Sequence, residues 1–446
     1  MWHKGLWAGM ALIFCSAAFA QQSDVDGDRL RRLQETIEQQ RLLLERQSRE
    51  LKAQAEILES LQKQIDALKG KADEAGRRAA QAQSAADRAA AAIGAGDPAA
   101  EGGRRQVSSG QERVKLAVSG QVNRAVNLVD DGDNTKAYFV DNDASNSRVR
   151  FVGTARMTED LALGSRIEFA FAPNESSTVT QGNEGGDENY VQGRWAEVFL
   201  DSRAYGKLSL GKGDTASNNT SQVDLSRTDV VMYSSIADIV AGLQFRTRDG
   251  KALAGIKVSD AFNDQDGLSR QSRLRYDTPA FHGFNLAGSL VSNQRSDAAL
   301  FWGGRGLGFK AAAAAAVSDP NQNGADLRYN GSFSILHEAT GLNLTVSAGM
   351  LQRDDRDDPA NLYAKFGWIA RFFEVGPTAF GVDATRSFNL PAENDEGYSL
   401  GAALVQAIDP FGTELYLQYR LFSLDRSSGP GVEDIGVGTV GARIKF

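Results

Sequence analysis

The sequence has few of the residues that disulfides, metal sites and acid–base catalysis most often use. Its 446 residues include one cysteine, Cys15, and three histidines. A single cysteine excludes an intramolecular disulfide and a cysteine-based metal site. The pair His337–Glu338 lacks the second histidine of a zinc-protease motif. We therefore expect no cofactor and no metal. We also expect no enzyme, because no nucleophile, base and oxyanion site assemble in the pattern.

Long apolar runs are also missing, since no stretch approaches the 18 residues of a membrane-spanning helix. Lys4, a short apolar segment over 6–14, and the small residues Ala18 and Ala20 predict a secretory signal peptide over 1–20. Cys15 would leave with it. An exported chain without a spanning helix is either soluble or crosses a membrane as a closed barrel, because only helices and closed barrels satisfy the backbone in lipid.

Positive charge is scarcer than negative charge, with 49 Lys and Arg against 57 Asp and Glu and a net charge of −8. An acidic chain argues against nucleic acid as a partner. Proline is scarce as well, at nine residues, whereas 46 glycines suit many short strands joined by tight turns.

Apolar residues at spacings of three and four predict a coiled coil within residues 21–93. One seam of the heptads consists of Leu30, Ile37, Leu44, Leu51, Leu58 and Ile65, and the other of Leu33, Gln40, Gln47, Gln54, Leu61 and Leu68. An exposed apolar stripe of this length requires self-association. We expect three helices, and the seam alone leaves a dimer open. Gly, Pro, Ser and the pair Arg104–Arg105 then predict a flexible linker over 94–112.

From residue 113 to 446 the period of the pattern changes to two, which is typical of β-strands with one apolar and one polar face. The last strand, GVGTVGARIKF, alternates Val440, Ala442 and Ile444 with Thr439, Arg443 and Lys445 and stops on Phe446. In a membrane barrel the apolar row meets lipid and the polar row meets a watery lumen. In a soluble sandwich the polar row would face outside water instead.

Turn lengths support a barrel of about sixteen antiparallel strands, because outer-membrane barrels alternate short periplasmic turns with longer outer loops. The predicted short turns are 158–161, 201–205, 279–282, 303–305, 337–341, 375–377 and 409–412. The predicted longer loops are 130–146, 174–189, 352–359 and 425–433. The alternation closes only if 297–302 is a strand of its own.

A resemblance to a known family rests on four segments placed behind a coiled coil. They are VKLAVSGQVNRAV, SRVRFVGTA, SRLRYDTPAFHGF and the closing strand. Together they resemble the DcaP-like family of trimeric outer-membrane porins over essentially the whole mature chain. The stalked porins of the sucrose type are the nearest alternative. The resemblance implies a trimer in the outer membrane of a Gram-negative bacterium that passes small carboxylates.

The rows opposite the apolar faces carry more basic than acidic residues. The basic lumen candidates are Lys115, Arg148, Arg150, Arg166, Arg273, Arg275, Lys365, Arg371, Arg420, Arg443 and Lys445. The acidic candidates are Glu168, Asp277, Asp383 and Glu414. The pattern does not assign the facing of Arg194 and Arg386, and it places Trp195 and Trp368 towards lipid or leaves them ambiguous.

The stretch 213–266 is the longest without a clean strand signal, and a loop of this length usually has a function or is disordered. It lies where general porins fold a loop into the channel. We expect a constriction carrying Asp214, Asp224, Thr228 and Asp229, pinned to the wall by Ile236, Ile239 and Val240.

These features predict a passive porin that prefers small anions, particularly mono- and dicarboxylates, because rings of Arg and Lys concentrate anions. Two interpretations remain beside it. The arginines pair internally and the channel passes sugars, or the barrel only anchors a periplasmic tether. The expected partners are other copies of the chain, outer-membrane lipid, small anions and, through a periplasmic coiled coil, peptidoglycan.

Overall fold

The computed structural model describes residues 114–185, 191–322 and 324–446, the backbone of Val107–Ser109, and the isolated residues Glu38 and Arg41. The chain divides into two compact units, Met1–Asp97 and Pro98–Phe446. In the first unit, Glu38 and Arg41 are helical and exposed. The rest of the predicted coiled coil, the signal peptide and most of the linker lie outside the described residues.

Twenty strands and four short helical segments make up the regular structure described in the second unit. The strands are β1 Val107–Ser109, β2 Val114–Asp130, β3 Thr135–Asp141, β4 Arg148–Arg156, β5 Leu161–Phe171, β6 Val191–Ser202, β7 Gly206–Asp214, β8 Gln244–Arg246, β9 Leu253–Lys257, β10 Arg270–Asp277, β11 Phe284–Val291, β12 Arg295–Gly306, β13 Phe309–Asp319, β14 Ala325–His337, β15 Leu342–Arg353, β16 Ala360–Phe373, β17 Gly376–Phe388, β18 Glu396–Ile408, β19 Thr413–Asp425 and β20 Ile435–Lys445. A further α-helix, Val258–Ala261, lies after β9, and 3₁₀ turns lie at Asp143–Ser145, Ile236–Ile239 and Asp409–Phe411. Within the described residues, no helix has both the length and the apolarity that a membrane span requires.

Sixteen antiparallel strands close into one barrel, as the turn pattern predicts. Strand β2 pairs with β20 from Gln121↔Lys445 to Asp130↔Gly436, which joins the two ends of the sheet. On its other side, β2 pairs with β4 through its first half and with β3 through its second half. Strands β3 and β4 therefore act as one interrupted barrel strand. Because β2 pairs with β20 on one side and with β3 and β4 on the other, the sheet closes on itself, as a barrel in a bilayer requires.

Period-two alternation sets the two faces of the wall as predicted. On β19, Leu415, Leu417 and Tyr419 are 45%, 56% and 59% exposed, whereas Gln418 and Arg420 between and beside them are 1% exposed. On β20, Val440 and Ile444 face outward in the same way. An outward apolar row and an inward polar row are what a barrel in a bilayer requires.

Several predicted boundaries are wrong. Residues 130–146 are not one long loop, because β3 continues the wall there after a turn at 131–134. Residues 303–305 lie inside β12, and the turn to β13 is at 307–308, where Leu307 and Gly308 both have positive φ. The predicted linker 94–112 contains β1, whose backbone pairs with Leu116, Ala117 and Val118 of β2. The predicted separate strand over 297–302 is confirmed within β12.

The segment between β7 and β10, residues 215–269, is not strandless as the sequence indicated. It holds a 3₁₀ turn, the β8–β9 hairpin and the helix Val258–Ala261. We call this segment the inner loop, because it bonds to inward-facing side chains of the wall. Asn127 of β2 donates to the carbonyl of Ile239 at 2.7 Å, and Ser387 of β17 donates to that of Ala261 at 2.6 Å. Ser332 of β14 donates to the carbonyl of Thr220 at 2.6 Å.

An apolar core fastens the inner loop inside the barrel. Ile236, Ile239 and Val240, which were predicted to pin the loop, are 5%, 3% and 1% exposed. They share one buried cluster with Tyr416 of β19 and Val437 of β20. Each large apolar side chain buried in this way stabilises the packing by about 1.5–3 kcal/mol. The inner loop therefore narrows the lumen as a packed element of the wall.

Candidate functional site: the basic lumen wall

Carboxylates that are each shared by two cations define one side of the lumen. Glu168 of β5 is fully buried and accepts from Arg150 of β4 at 2.5 Å and from Arg194 of β6 at 2.6 Å. A charge-assisted contact of this length is strong, and it holds both guanidinium planes in place. One negative charge is thus shared by two positive charges, which leaves a net charge of +1 at this point.

Arg194 joins this site because of a β-bulge that the sequence pattern does not reveal. The register between β5 and β6 passes from Glu168↔Trp195 directly to Phe169↔Gly193, so Arg194 is the extra residue. A bulge turns a side chain out of strict alternation and re-aims it. Trp195 also faces inward, with the guanidinium of Arg166 4.2 Å from its ring centre. Its interpretation as lipid-facing or ambiguous is corrected.

Two further carboxylates repeat the arrangement on neighbouring strands. Glu197 of β6 contacts Arg273 at 2.6 Å and Arg166 at 3.7 Å. Glu414 of β19 contacts Arg443 at 2.5 Å and Lys445 at 2.9 Å. The sequence analysis did not single out Glu197, because the bulge in β6 obscured which of its rows faces inward.

Arg148 has no carboxylate partner among the described residues. Its guanidinium donates to Asn146 Oδ1 and Ser145 Oγ, both at 3.3 Å. The charges that act on it are those of Glu168 and of three further arginines, Arg150, Arg194 and Arg443.

We call this set of seven cations and three carboxylates the basic wall. Its members lie on one side of the barrel. Its members are Arg148, Arg150, Arg166, Arg194, Arg273, Arg443 and Lys445 with Glu168, Glu197 and Glu414. Seven positive and three negative charges leave an excess of four positive charges. Clustered charge of one sign beside low-dielectric walls concentrates counter-ions.

The other predicted lumen cations are paired one to one or lie apart. Arg275 contacts Asp277 at 2.7 Å, and Arg420 contacts Asp383 at 2.6 Å, with both members of the second pair buried. Arg371 and Lys115 are exposed near strand ends. Arg386 faces outward, 48% exposed by side chain, and contacts Glu396 at 2.7 Å.

The four residues predicted to form the constriction have different structural roles. Asp214 ends β7 and contacts Arg270 at 3.1 Å. Asp224 forms a buried ion pair with Lys365 of β16, and Thr228 accepts from the same ammonium group at 3.0 Å. Asp229 alone of the four is exposed. Asp224 and Thr228 therefore anchor the loop, and Asp229 remains accessible.

An open cavity of about 430 Å³ lies against the basic wall. Arg148, Arg150, Arg443 and Lys445 line it from the strands together with the carboxylates of Glu168 and Glu414, and Asp409 lines it at the end of the barrel that has short turns. The inner loop contributes Arg227 and Asp229. Arg227 was not among the predicted site residues, although its position as the only basic residue between Asp224 and Asp229 could have indicated it.

Asp238, on the inner loop, forms no ion pair with a described basic side chain, and the charges that act on it are those of other acids. Asp238 accepts hydrogen bonds from Tyr233 and from Ser235 Oγ at 3.0 Å. Burial, followed by the charges of Asp143 and Asp264, raises the pKa of Asp238 to about 8. The neutral form therefore predominates at neutral pH, and ionising it inside the loop would be unfavourable.

Replacing Asp238 with Asn is expected to remove a pH-dependent loss of stability. Because the folded pKa lies above the unfolded value of 3.8, the folded state binds more protons, and stability falls as pH rises from about 4 to about 8. We expect the thermal midpoint of Asp238→Asn to exceed that of the native chain at pH 9, with little difference at pH 4. Asp249→Asn, at an exposed loop position, is the control and should change neither value.

Comparison with known proteins agrees with this architecture. A family model described as Gram-negative porin matches residues 79–437. Among curated proteins, none matches the chain significantly by sequence.

Solved outer-membrane proteins share the fold at TM-scores of 0.50 and above. The anion-selective porin from Comamonas acidovorans superposes with a TM-score of 0.53 at 16% identity, covering 75% of this chain and 100% of that chain. A loop L8 deletion mutant of OmpT from Vibrio cholerae gives 0.50 at 14% identity, covering 75% and 100%. The outer membrane channel DcaP of Acinetobacter baumannii gives 0.47 at 11% identity, covering 76% and 99%. Because the family model spans most of the sequence and the described strands close a sixteen-stranded barrel, the chain belongs to the Gram-negative porin family, whose members are outer-membrane channels.

Proposed function

We propose that this chain is a passive outer-membrane porin that prefers small anions, in particular mono- and dicarboxylates. The observation that carries the proposal is the excess of four positive charges on the basic wall. Internal pairing, the simplest alternative, accounts for Arg275 and Arg420. It does not neutralise the basic wall, because each of its three carboxylates is shared by two cations and carries the charge to neutralise only one.

The contacts of the inward aromatic side chains favour anions over sugars. A sugar channel needs a track of accessible aromatic faces on which rings can stack. Here Tyr363 and Tyr416 are 3% and 2% exposed beneath the inner loop, and Trp195 is covered by Arg166. Liposome swelling tests this choice directly. We expect sodium acetate and sodium succinate to enter faster than neutral sugars of similar size. Faster entry of the sugars would favour a sugar channel instead.

Neutralising Arg148 is expected to weaken the anion preference without disturbing the wall. Arg148→Gln removes one of the four uncompensated charges and breaks no ion pair within the described residues. The reversal potential in a potassium chloride gradient should move towards zero. Arg386→Gln is a matched control, since it removes the same charge from the outer face, and it should leave the potential unchanged. Equal shifts in both variants would contradict a lumenal origin.

The proposal extends to assembly and location. The heptads of 30–68 support self-association through a periplasmic coiled coil, and we infer a trimer rather than the dimer that the seam also permits. The coiled coil would be joined to a barrel in outer-membrane lipid, with peptidoglycan within its reach. Chemical crosslinking of the purified full-length chain tests this, with a trimer as the expected species. A chain that stays monomeric in mild detergent would oppose it.

A further inference from the structure

The backbone of Arg227 has a conformation that residues other than glycine rarely adopt. Its φ is +62°, in the left-handed region. The residues on either side are fixed: Ser226 and Thr228 are fully buried, and their hydroxyl groups bond to each other at 2.8 Å. The backbone turn at this point is therefore held by its neighbours, and it directs the Arg227 side chain away from the packed loop.

Arg227 is exposed, whereas the residues before and after it are buried. It lines the cavity of about 430 Å³ together with Arg148, Arg150, Arg443 and Lys445 of the basic wall. No ion pair to Arg227 is found in the part of the chain that the structure describes. A strained cation that faces a cavity is a candidate for binding a solute there.

We propose that Arg227 and Arg148 form the two sides of a binding site for dicarboxylates, in which one carboxylate contacts the wall and the other contacts the inner loop. This inference rests on the anion preference proposed above. Guanidinium groups match carboxylates through paired N–H donors, so a ligand with two carboxylates uses both sides. A monocarboxylate uses one side only and is held more briefly.

Asp229 opposes the binding of a carboxylate at this site. It is exposed two residues after Arg227 and lines the same cavity, yet it lies more than 4.0 Å from any cation among the described residues. Its negative charge repels a bound carboxylate. A channel site must attract its solute and also release it, and an acid beside the binding cation shortens the bound time.

Single-channel recording with succinate as the added dicarboxylate and acetate as the monocarboxylate tests the site in the full-length protein. The native channel should show current interruptions that last longer with succinate than with acetate. Arg227→Gly removes the charge at a position whose backbone suits glycine, and we expect it to shorten the succinate interruptions about tenfold or more. Arg227→Lys should keep most of the effect. Asp229→Asn should lengthen the interruptions.

The outcomes separate this inference from the proposed function. If the native channel prefers cations, the proposed anion preference itself fails, before any variant is compared. If the native channel prefers anions but Arg227→Gly binds succinate as long as the native chain does, the basic wall stands and the two-sided site is wrong. If Asp229→Asn shortens the interruptions, the part assigned to Asp229 is wrong.

Discussion

Lys365→Met is expected to loosen the inner loop and to raise single-channel conductance several-fold. The ammonium group of Lys365 is fully buried on β16 and bonds to Asp224, to Thr228 Oγ1 at 3.0 Å and to the carbonyl of Met232 at 2.9 Å. Removing it leaves the Asp224 carboxylate, 5% exposed, without a cation. Breaking one side of a buried ion pair costs about 3–5 kcal/mol. That loss falls on the segment that narrows the lumen.

The double variant Lys365→Met, Asp224→Leu is the matched control for this effect. Replacing both members of a buried ion pair with apolar groups is far less costly than removing one, because no unpaired charge remains. We expect its conductance and thermal midpoint to lie close to the native values. A single variant that behaves like the native channel would show that the pair does not anchor the loop.

Glu168→Gln is expected to increase the anion preference and to lower stability at the same time. Glu168 is fully buried between Arg150 and Arg194, and Arg148 lies near them. Neutralising it leaves three guanidinium groups without a carboxylate, which again costs about 3–5 kcal/mol. The reversal potential should move towards the chloride equilibrium potential as the thermal midpoint falls. These opposite directions distinguish a selective cluster from a purely structural one.

Glu396→Gln provides the comparison for Glu168→Gln. It removes the same charge from an arginine-paired glutamate on the outer face, where the side chain of Glu396 is 36% exposed. Exposed ion pairs contribute little to stability. Both the potential and the midpoint should therefore stay near the native values. A fall in midpoint as large as that of Glu168→Gln would contradict the burial argument.

Strict alternation made the faces of regular strands predictable. Arg148, Arg150, Arg420 and Arg443 all lie on the inward rows that the sequence indicated. Successive side chains of a strand point to opposite faces, so once the apolar row faces lipid the other row must face the lumen. Arg194 and Glu197 were not assigned, since the bulge beside Glu168 shifts the row, and a bulge leaves no composition signal in β6.

The sequence pattern could not predict which side chains on different strands form ion pairs. A one-dimensional row shows that Glu168 and Arg150 face inward, but it cannot show that Arg194 shares the same carboxylate. The inner loop illustrates the same limit. Its position after β7 predicted a constriction, whereas the bond from Asn127 to Ile239 and the exposure of Arg227 depend on contacts between distant parts of the chain.

The measurement that tests the central claim most directly is the reversal potential of the native channel in a planar bilayer under a potassium chloride gradient. The excess of positive charge on the basic wall predicts a potential displaced towards the chloride equilibrium potential, less so at higher salt because screening weakens the field of exposed charges. A potential displaced towards that of potassium would contradict the account, since the basic wall would then not govern which ions enter.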